Sequence, residues 1–142
     1  MAMQRRLKVQ FRDVFPAGAF LVGEVEPVLD FDAPKRGDGV RPQAMDKDSG
    51  LPVWSAPVLD ADPEAGRKDK TVAVKIGAKV RPVPPRNDTP FPFTPVEFTG
   101  LSATAYVDDN GQRPRLAWSL RADGLCAPGQ AGKGSTDAVK AA

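Results

Sequence analysis

The chain has 142 residues, a formal net charge of +2, one cysteine and no histidine. That length suits a single domain with a modest core. The lone Cys126 excludes an internal disulfide and a thiolate zinc cluster, and the absence of histidine removes the commonest general base and metal ligand.

Fifteen prolines and a hydrophobic share of 41% favour short strands joined by loops over long helices. No apolar run approaches the length of a membrane span or a signal-peptide core, so a cytoplasmic protein with no membrane partner is expected. Charge is segregated along the chain. Residues 1–12 carry four bases and no acid, 13–32 five acids and no base, 70–86 five bases and no acid, and 87–112 four acids and no base. A basic face can therefore exist on a nearly neutral protein.

In chain order, "RLKVQF" sets Leu7, Val9 and Phe11 against Arg6, Lys8, Gln10 and Arg12, the alternation of a half-buried strand. Leu7, Phe11, Val14 and Phe15 would also form a helical stripe, and both readings stay open. "AFLVGEVEPVLDF" (19–31) reads as one long strand, bent or bulged at Gly23 and Pro27. Residues 33–50 are polar and rich in turn formers, which predicts a flexible hairpin loop.

Residues 52–61 form the next strand, where Pro57 suggests an edge or a bulge. After an acidic turn, "KTVAVKIGAKVR" (70–81) alternates best of all. It sets Val72, Val74, Ile76, Ala78 and Val80 on a core face and Lys75, Lys79 and Arg81 on the other. Six prolines make 82–95 an irregular connection. Residues 96–107 and 114–125 then form a hairpin across a turn with Asn110-Gly111. Leu116, Trp118 and Leu120 share its core face, opposite Arg115 and Arg121. Residues 128–142 read as a disordered tail.

The sum is an all-β domain over 1–127 with five strands, or six with the N-terminal one. A small OB-fold-like barrel fits this, with a small β-sandwich as the alternative.

No catalytic constellation stands out. The trio Asp60, Asp62 and Glu64 fails the calcium-loop pattern, since Ala65 stands where glycine is needed and Thr71 where the bidentate glutamate belongs. No serine has a histidine to activate it, and "PGQAGKGS" (128–135) lacks phosphate-loop spacing. A non-enzymatic protein without cofactor or metal is expected. Lys75, Lys79, Arg81, Arg115 and Arg121 are either a solvated sheet surface or a nucleic-acid face of the kind OB-type sheets present. Trp54 is either core or a residue that stacks on a base.

With "GLPVWSAPVLDADPEAGRKDKTVAVKI" (50–76), "VFPAG…VGEV" before it and "FTPVEFTGL…RLAWSLRA" after, the sequence resembles a family encoded by actinobacterial integrative and conjugative plasmids. Its members are described as activators of plasmid replication, integration and excision. The resemblance covers about Val9 to Ala127 and carries over no established binding residue. The order of loop, Gly-x-Pro-aromatic strand, acidic turn and Val-x-Val-Lys-Ile strand is similar to the gene V type of single-stranded DNA-binding protein from filamentous phages. Here the aromatic stands one place later, at Trp54.

These resemblances imply a DNA-binding accessory protein of a mobile element. It would bind single-stranded DNA through a basic sheet face and act as a homodimer. Two other readings remain. One is a transcriptional activator on duplex DNA, although no helix-turn-helix can be placed. The other is an interaction module that recruits the replication initiator or integrase through the edge around Pro57 and the acidic 87–112 segment.

Overall fold

The structure, a computed structural model, describes residues 4–130 apart from 36, 38, 68, 69, 110 and 112. Most of the 128–142 tail and Asn110 of the expected hairpin turn therefore lie outside the described residues.

The fold is nearly all-β, with 42% strand and 3% helix, in a curled half-barrel sheet. Its elements are β1 (Arg6–Lys8), α1 (Phe11–Val14), β2 (Ala19–Leu21), β3 (Glu26–Pro27), β4 (Val53–Asp60) and β5 (Thr71–Gly77), then β6 (Thr94–Thr99), β7 (Ser102–Asp108), β8 (Arg115–Ala122) and β9 (Gly124–Cys126). Among the described residues all nine strands belong to one sheet, ordered β1-β7-β8-β5-β4-β2-β6-β9 with β3 also on β4. Every pair is antiparallel except β5 with β8.

Nine strands replace the five or six expected, because long runs are broken by sharp bends. Pro57 lies within β4, between β5 on one side and β2 and β3 on the other. Its carbonyl accepts from the Val22 N–H at 3.0 Å, so its hydrogen-free nitrogen faces the same side, where the ladder lapses and β2 gives way to β3. A Cβ at Gly23 would stand 3.1 Å from the Pro57 ring, so the bend needs a small residue there. Pro57 thus sits in an interior strand opposite the bulged bend between β2 and β3, and β4 offers no open edge for a partner.

The second bend breaks the hairpin. Gly100 has φ +60°, and a Cβ there would overlap the Asp123 carboxylate. The Asp123 N–H donates to the Thr99 carbonyl at 2.8 Å across the fold. β6 with β7 and β8 with β9 are therefore two kinked halves of one long hairpin. One half pairs with β2 and the other with β5, so the pairing path curls back on itself.

The core lies inside the curl, built from Leu21, Val25, Ala56, Val58, Val74, Ile76, Val96, Leu101 and Leu120. Both readings of the N-terminus hold in part: alternation makes β1, and the apolar stripe makes α1. Phe11, Phe15 and Phe98 cluster with ring centroids 5.3 to 6.3 Å apart and fill one end of the half-barrel. Three expected core residues are outside it. Val80 follows the end of β5 and is 74% exposed. Leu116 and Trp118 are 64% and 50% exposed, because the β7–β8 hairpin reaches beyond the strands it packs on. β5 meets β8 only at 120–122, and β1 covers β7 only to Thr104.

Candidate functional site

Strand alternation sorts this sheet into two faces. Val74 and Ile76, Ala56, Leu120 and Ala122 point into the core, so Lys75, Ser55 and Arg121 point outward. Register aligns them across neighbouring strands: Ser55 faces Lys75, Lys75 faces Arg121, Arg121 faces Ser102 and Ser102 faces Lys8. In the adjacent row Arg6 faces Thr104, which faces Ser119. Strands about 4.8 Å apart thus gather Lys75, Arg121, Lys8 and Arg6 on one outer face, interleaved with hydroxyls. Lys75 and Lys8 have no carboxylate partner among the described residues.

Of the six residues expected at a site, only Lys75 and Arg121 join this row, while Trp54 and Arg81 meet each other away from it. β5 ends at Gly77, so Lys79 and Arg81 leave the strand face and lie exposed in the following segment. Trp54 pairs with Ile76 on the core side, opposite Lys75. Its indole N–H donates to the Ala78 carbonyl at 2.8 Å, and the Arg81 guanidinium carbon lies 5.7 Å from its ring centroid. Arg115 pairs with Asp108 at 3.6 Å near the hairpin tip, about 20 Å along β8 from Arg121 at the usual strand rise. Sequence reasoning missed Arg6 and Lys8 as site residues. Their alternation with Leu7 was visible, but nothing in the sequence pairs β1 with β7.

The segment between β3 and β4 folds over this outer face, where residues 28–30 and 42–44 bond to each other and to Val53. The Asp30 N–H donates to the Pro42 carbonyl at 2.8 Å, Ala44 to Val28 at 2.7 Å, and the Gln43 side-chain amide to the Val53 carbonyl at 2.7 Å. With Val28, Ala44 and Met45 as one wall and Lys75, Ser119 and Arg121 as the other, it encloses a cleft of about 290 Å³. A second cleft of about 220 Å³ shares Arg6 and Arg121 with the first. A wider groove of about 980 Å³ continues past Arg6 and Lys8 to Arg12.

The same segment brings acids to the cations. Asp48 Oδ2 lies 3.2 Å from Arg6 Nη1, and Asp46 Oδ2 lies 3.6 Å from Arg121 Nη2. Asp46 is 8% exposed. Burial works against its charge, but the Asp48 N–H, Arg121, Ser49 and Arg6 outweigh that and hold its carboxyl below the usual range. Arg121 Nε is buried with no hydrogen-bond partner.

Elsewhere, Asp60 and Asp62 accept the N–H groups of Asp62 and Glu64 at 3.0 and 2.9 Å, so these carboxylates are engaged in shaping the turn. Burial, then Glu97, pushes the Cys126 thiol up, away from the reactive thiolate form. Asp48, Glu97 and Asp123 also line the wider groove, so the row of Lys75, Arg121 and Lys8 with its hydroxyls is the part whose chemistry suits a phosphate backbone. No helix among the described residues is long and apolar enough to cross a membrane.

No match to this chain was found among protein-family models, curated proteins or solved structures.

Proposed function

We propose that this protein binds single-stranded DNA in the groove over the outer face of β4, β5 and β8, without catalysing a reaction. The observation that carries this is the row of Lys75, Arg121 and Lys8, with Arg6 beside it, under the overhanging segment between β3 and β4. Taking β2–β3, β4, β5, β6–β7 and β8–β9 as five bent runs, the order is one-two-three-five-four and back to one. Only runs three and five are parallel. That connectivity supports an OB-type barrel. Such barrels bind oligonucleotides on the face of their second and third strands, beside the loop between the first and second. Here that face is β4–β5 and that loop is the overhanging segment.

Resemblance to the plasmid-encoded activators adds the setting: a cytoplasmic accessory protein for replication and excision of a mobile element, where single strands are exposed. Contact to four phosphates would give a log–log salt slope of roughly −3, on the order of fifty-fold between 50 and 200 mM salt. Fluorescence anisotropy of a labelled 20-nucleotide strand at those two salts, beside the matching duplex, tests it. Duplex binding as tight as single-strand binding would overturn it in favour of a duplex-acting activator.

A protein-contact reading is favoured by one further feature. Tyr106, Val107, Leu116 and Trp118 leave an apolar hairpin end exposed. This is more apolar surface than an isolated side chain presents, and it suits a homodimer or contact with the replication initiator or integrase. Light scattering at micromolar concentration separates monomer from dimer.

A further inference from the structure

We infer that the turn Asp46–Leu51 is a built-in competitor for the groove, with Asp46 and Asp48 occupying positions on Arg121 and Arg6 that DNA phosphates would take. This rests on the single-strand-binding reading and adds a gate to it.

The position of the turn is the first argument. The cleft holding Asp46 and Asp48 lies between the clefts on either side, sharing Arg6 and Arg121 with one and Arg6 and Asp48 with the other. A strand running from Lys8 to Lys75 would meet the turn midway. The pattern of pairing is the second. Lys8 and Lys75, at the two ends of the row, have no carboxylate partner among the described residues, while Arg121 between them and Arg6 beside Lys8 on β1 are each matched by an acid from the turn.

How the turn is held is the third. Its hydrogen bonds close on itself: Asp46 N–H to the Leu51 carbonyl at 2.7 Å, Gly50 N–H to the Asp46 carbonyl at 2.7 Å, and Asp48 N–H to Asp46 Oδ1 at 2.9 Å. Gly50, at φ +73°, supplies the reversal. Two ion pairs, with Asp46, Ser49 and Leu51 packed over Gly77, carry it across to the sheet. The Asp48 side chain is 75% exposed, and the Arg121 contact is 3.6 Å long and leaves Nε unpartnered. A phosphate offers more acceptor oxygens than this single carboxylate contact uses, so exchanging the turn for DNA completes the guanidinium's bonding. With its ion pairs given up to DNA the turn loses the bracing that the sheet provides, and its own hydrogen bonds then open more often.

The test uses the whole protein and the labelled 20-nucleotide strand at 50 mM salt. Asp48→Asn should tighten binding about two- to fivefold, the worth of an exposed ion pair. Glu64→Gln, which makes the same charge change on the distant β4–β5 turn, should leave it unchanged. Amide hydrogen exchange on the wild-type protein provides a readout that needs no variant. The amides of 46–51 should exchange faster when the strand is bound. Wild-type binding with no gain in Asp48→Asn, an equal gain in Glu64→Gln, or a turn that stays protected under bound DNA would overturn the gate while leaving the binding reading intact. If neither wild type nor Asp48→Asn binds the strand, the binding reading fails and the gate with it. Binding by Asp48→Asn alone would support both.

Discussion

The indole N–H of Trp54 donates to the carbonyl oxygen of Ala78 at 2.8 Å, bridging the start of β4 to the residue just after β5. The ring packs against the core on the side of the sheet opposite Lys75. This geometry makes Trp54 a structural clamp between β4 and the segment that follows β5. Trp54→Ala should cost on the order of 3 kcal/mol in urea unfolding, and Trp54→Phe, which keeps the ring but loses the donor, about 1 kcal/mol. A Trp54→Ala protein of wild-type stability that binds DNA poorly would reverse this assignment and restore a stacking role.

On the outer face, Lys75→Ala and Lys8→Ala should each weaken oligonucleotide binding. Each should also shallow the log–log salt slope by about 0.7, one phosphate contact on a single strand. Lys79→Ala and Arg115→Ala, which the structure places away from the row, should change the slope little. Equal effects from all four would mean that the net charge of the surface binds DNA, with no role for the groove.

At the kink of the long hairpin, Gly100→Ala forces a Cβ into a left-handed backbone and onto the Asp123 carboxylate. A loss on the order of 2 kcal/mol or more is expected from the backbone strain and the displaced side chain. Chemical denaturation measures it. Gly111→Ala, where a Cβ meets nothing within 4 Å, is the control and should cost much less.

The pH dependence follows from Asp46. Its folded-state carboxyl titrates below the usual value, so the ionised group contributes stability that is fully present above about pH 4. That contribution is lost as pH falls through the lower, folded-state value. Melting temperatures followed from pH 6 to pH 2 should fall more steeply for wild type than for Asp46→Asn. Parallel curves would show that Asp46 gains nothing from its neighbours.

On the hairpin end, Trp118→Ser should cost no more than about 2 kcal/mol, because half of the side chain is already exposed. If the apolar end joins two copies, the same change should shift the protein toward monomer in sedimentation velocity. A large loss of stability would instead show that this end is covered within the monomer.

Much of the fold was legible in the strands whose two faces differ. Val74 and Ile76 against Lys75 have period two on a half-buried sheet, and the structure keeps that sorting. The breaks were less legible. Gly23 and Pro57 each signal a local bend, whereas Gly100 was read as part of one strand over 96–107, and only a neighbour brought by another strand makes a strand end: the ring of Pro57 for Gly23, the carboxylate of Asp123 for Gly100. Half of the candidate site was hidden for the same reason. Lys8 and Arg6 lie far from Lys75 in the chain, and the register that aligns them passes through β7 and β8.

The sequence by itself determined that the protein is built of strands, that its charge is segregated, and that Lys75 and Arg121 face away from apolar neighbours. These are local properties, set by side-chain alternation, proline geometry and composition. Tertiary structure alone decided where each strand stops, which cations share a groove, that Trp54 turns to the core side while Trp118 is left exposed, and that Asp46 and Asp48 lie on Arg121 and Arg6. The physical reason is that alternation tells a strand which side is which, whereas the neighbour on that side is chosen by non-local pairing and by how far the packed core extends.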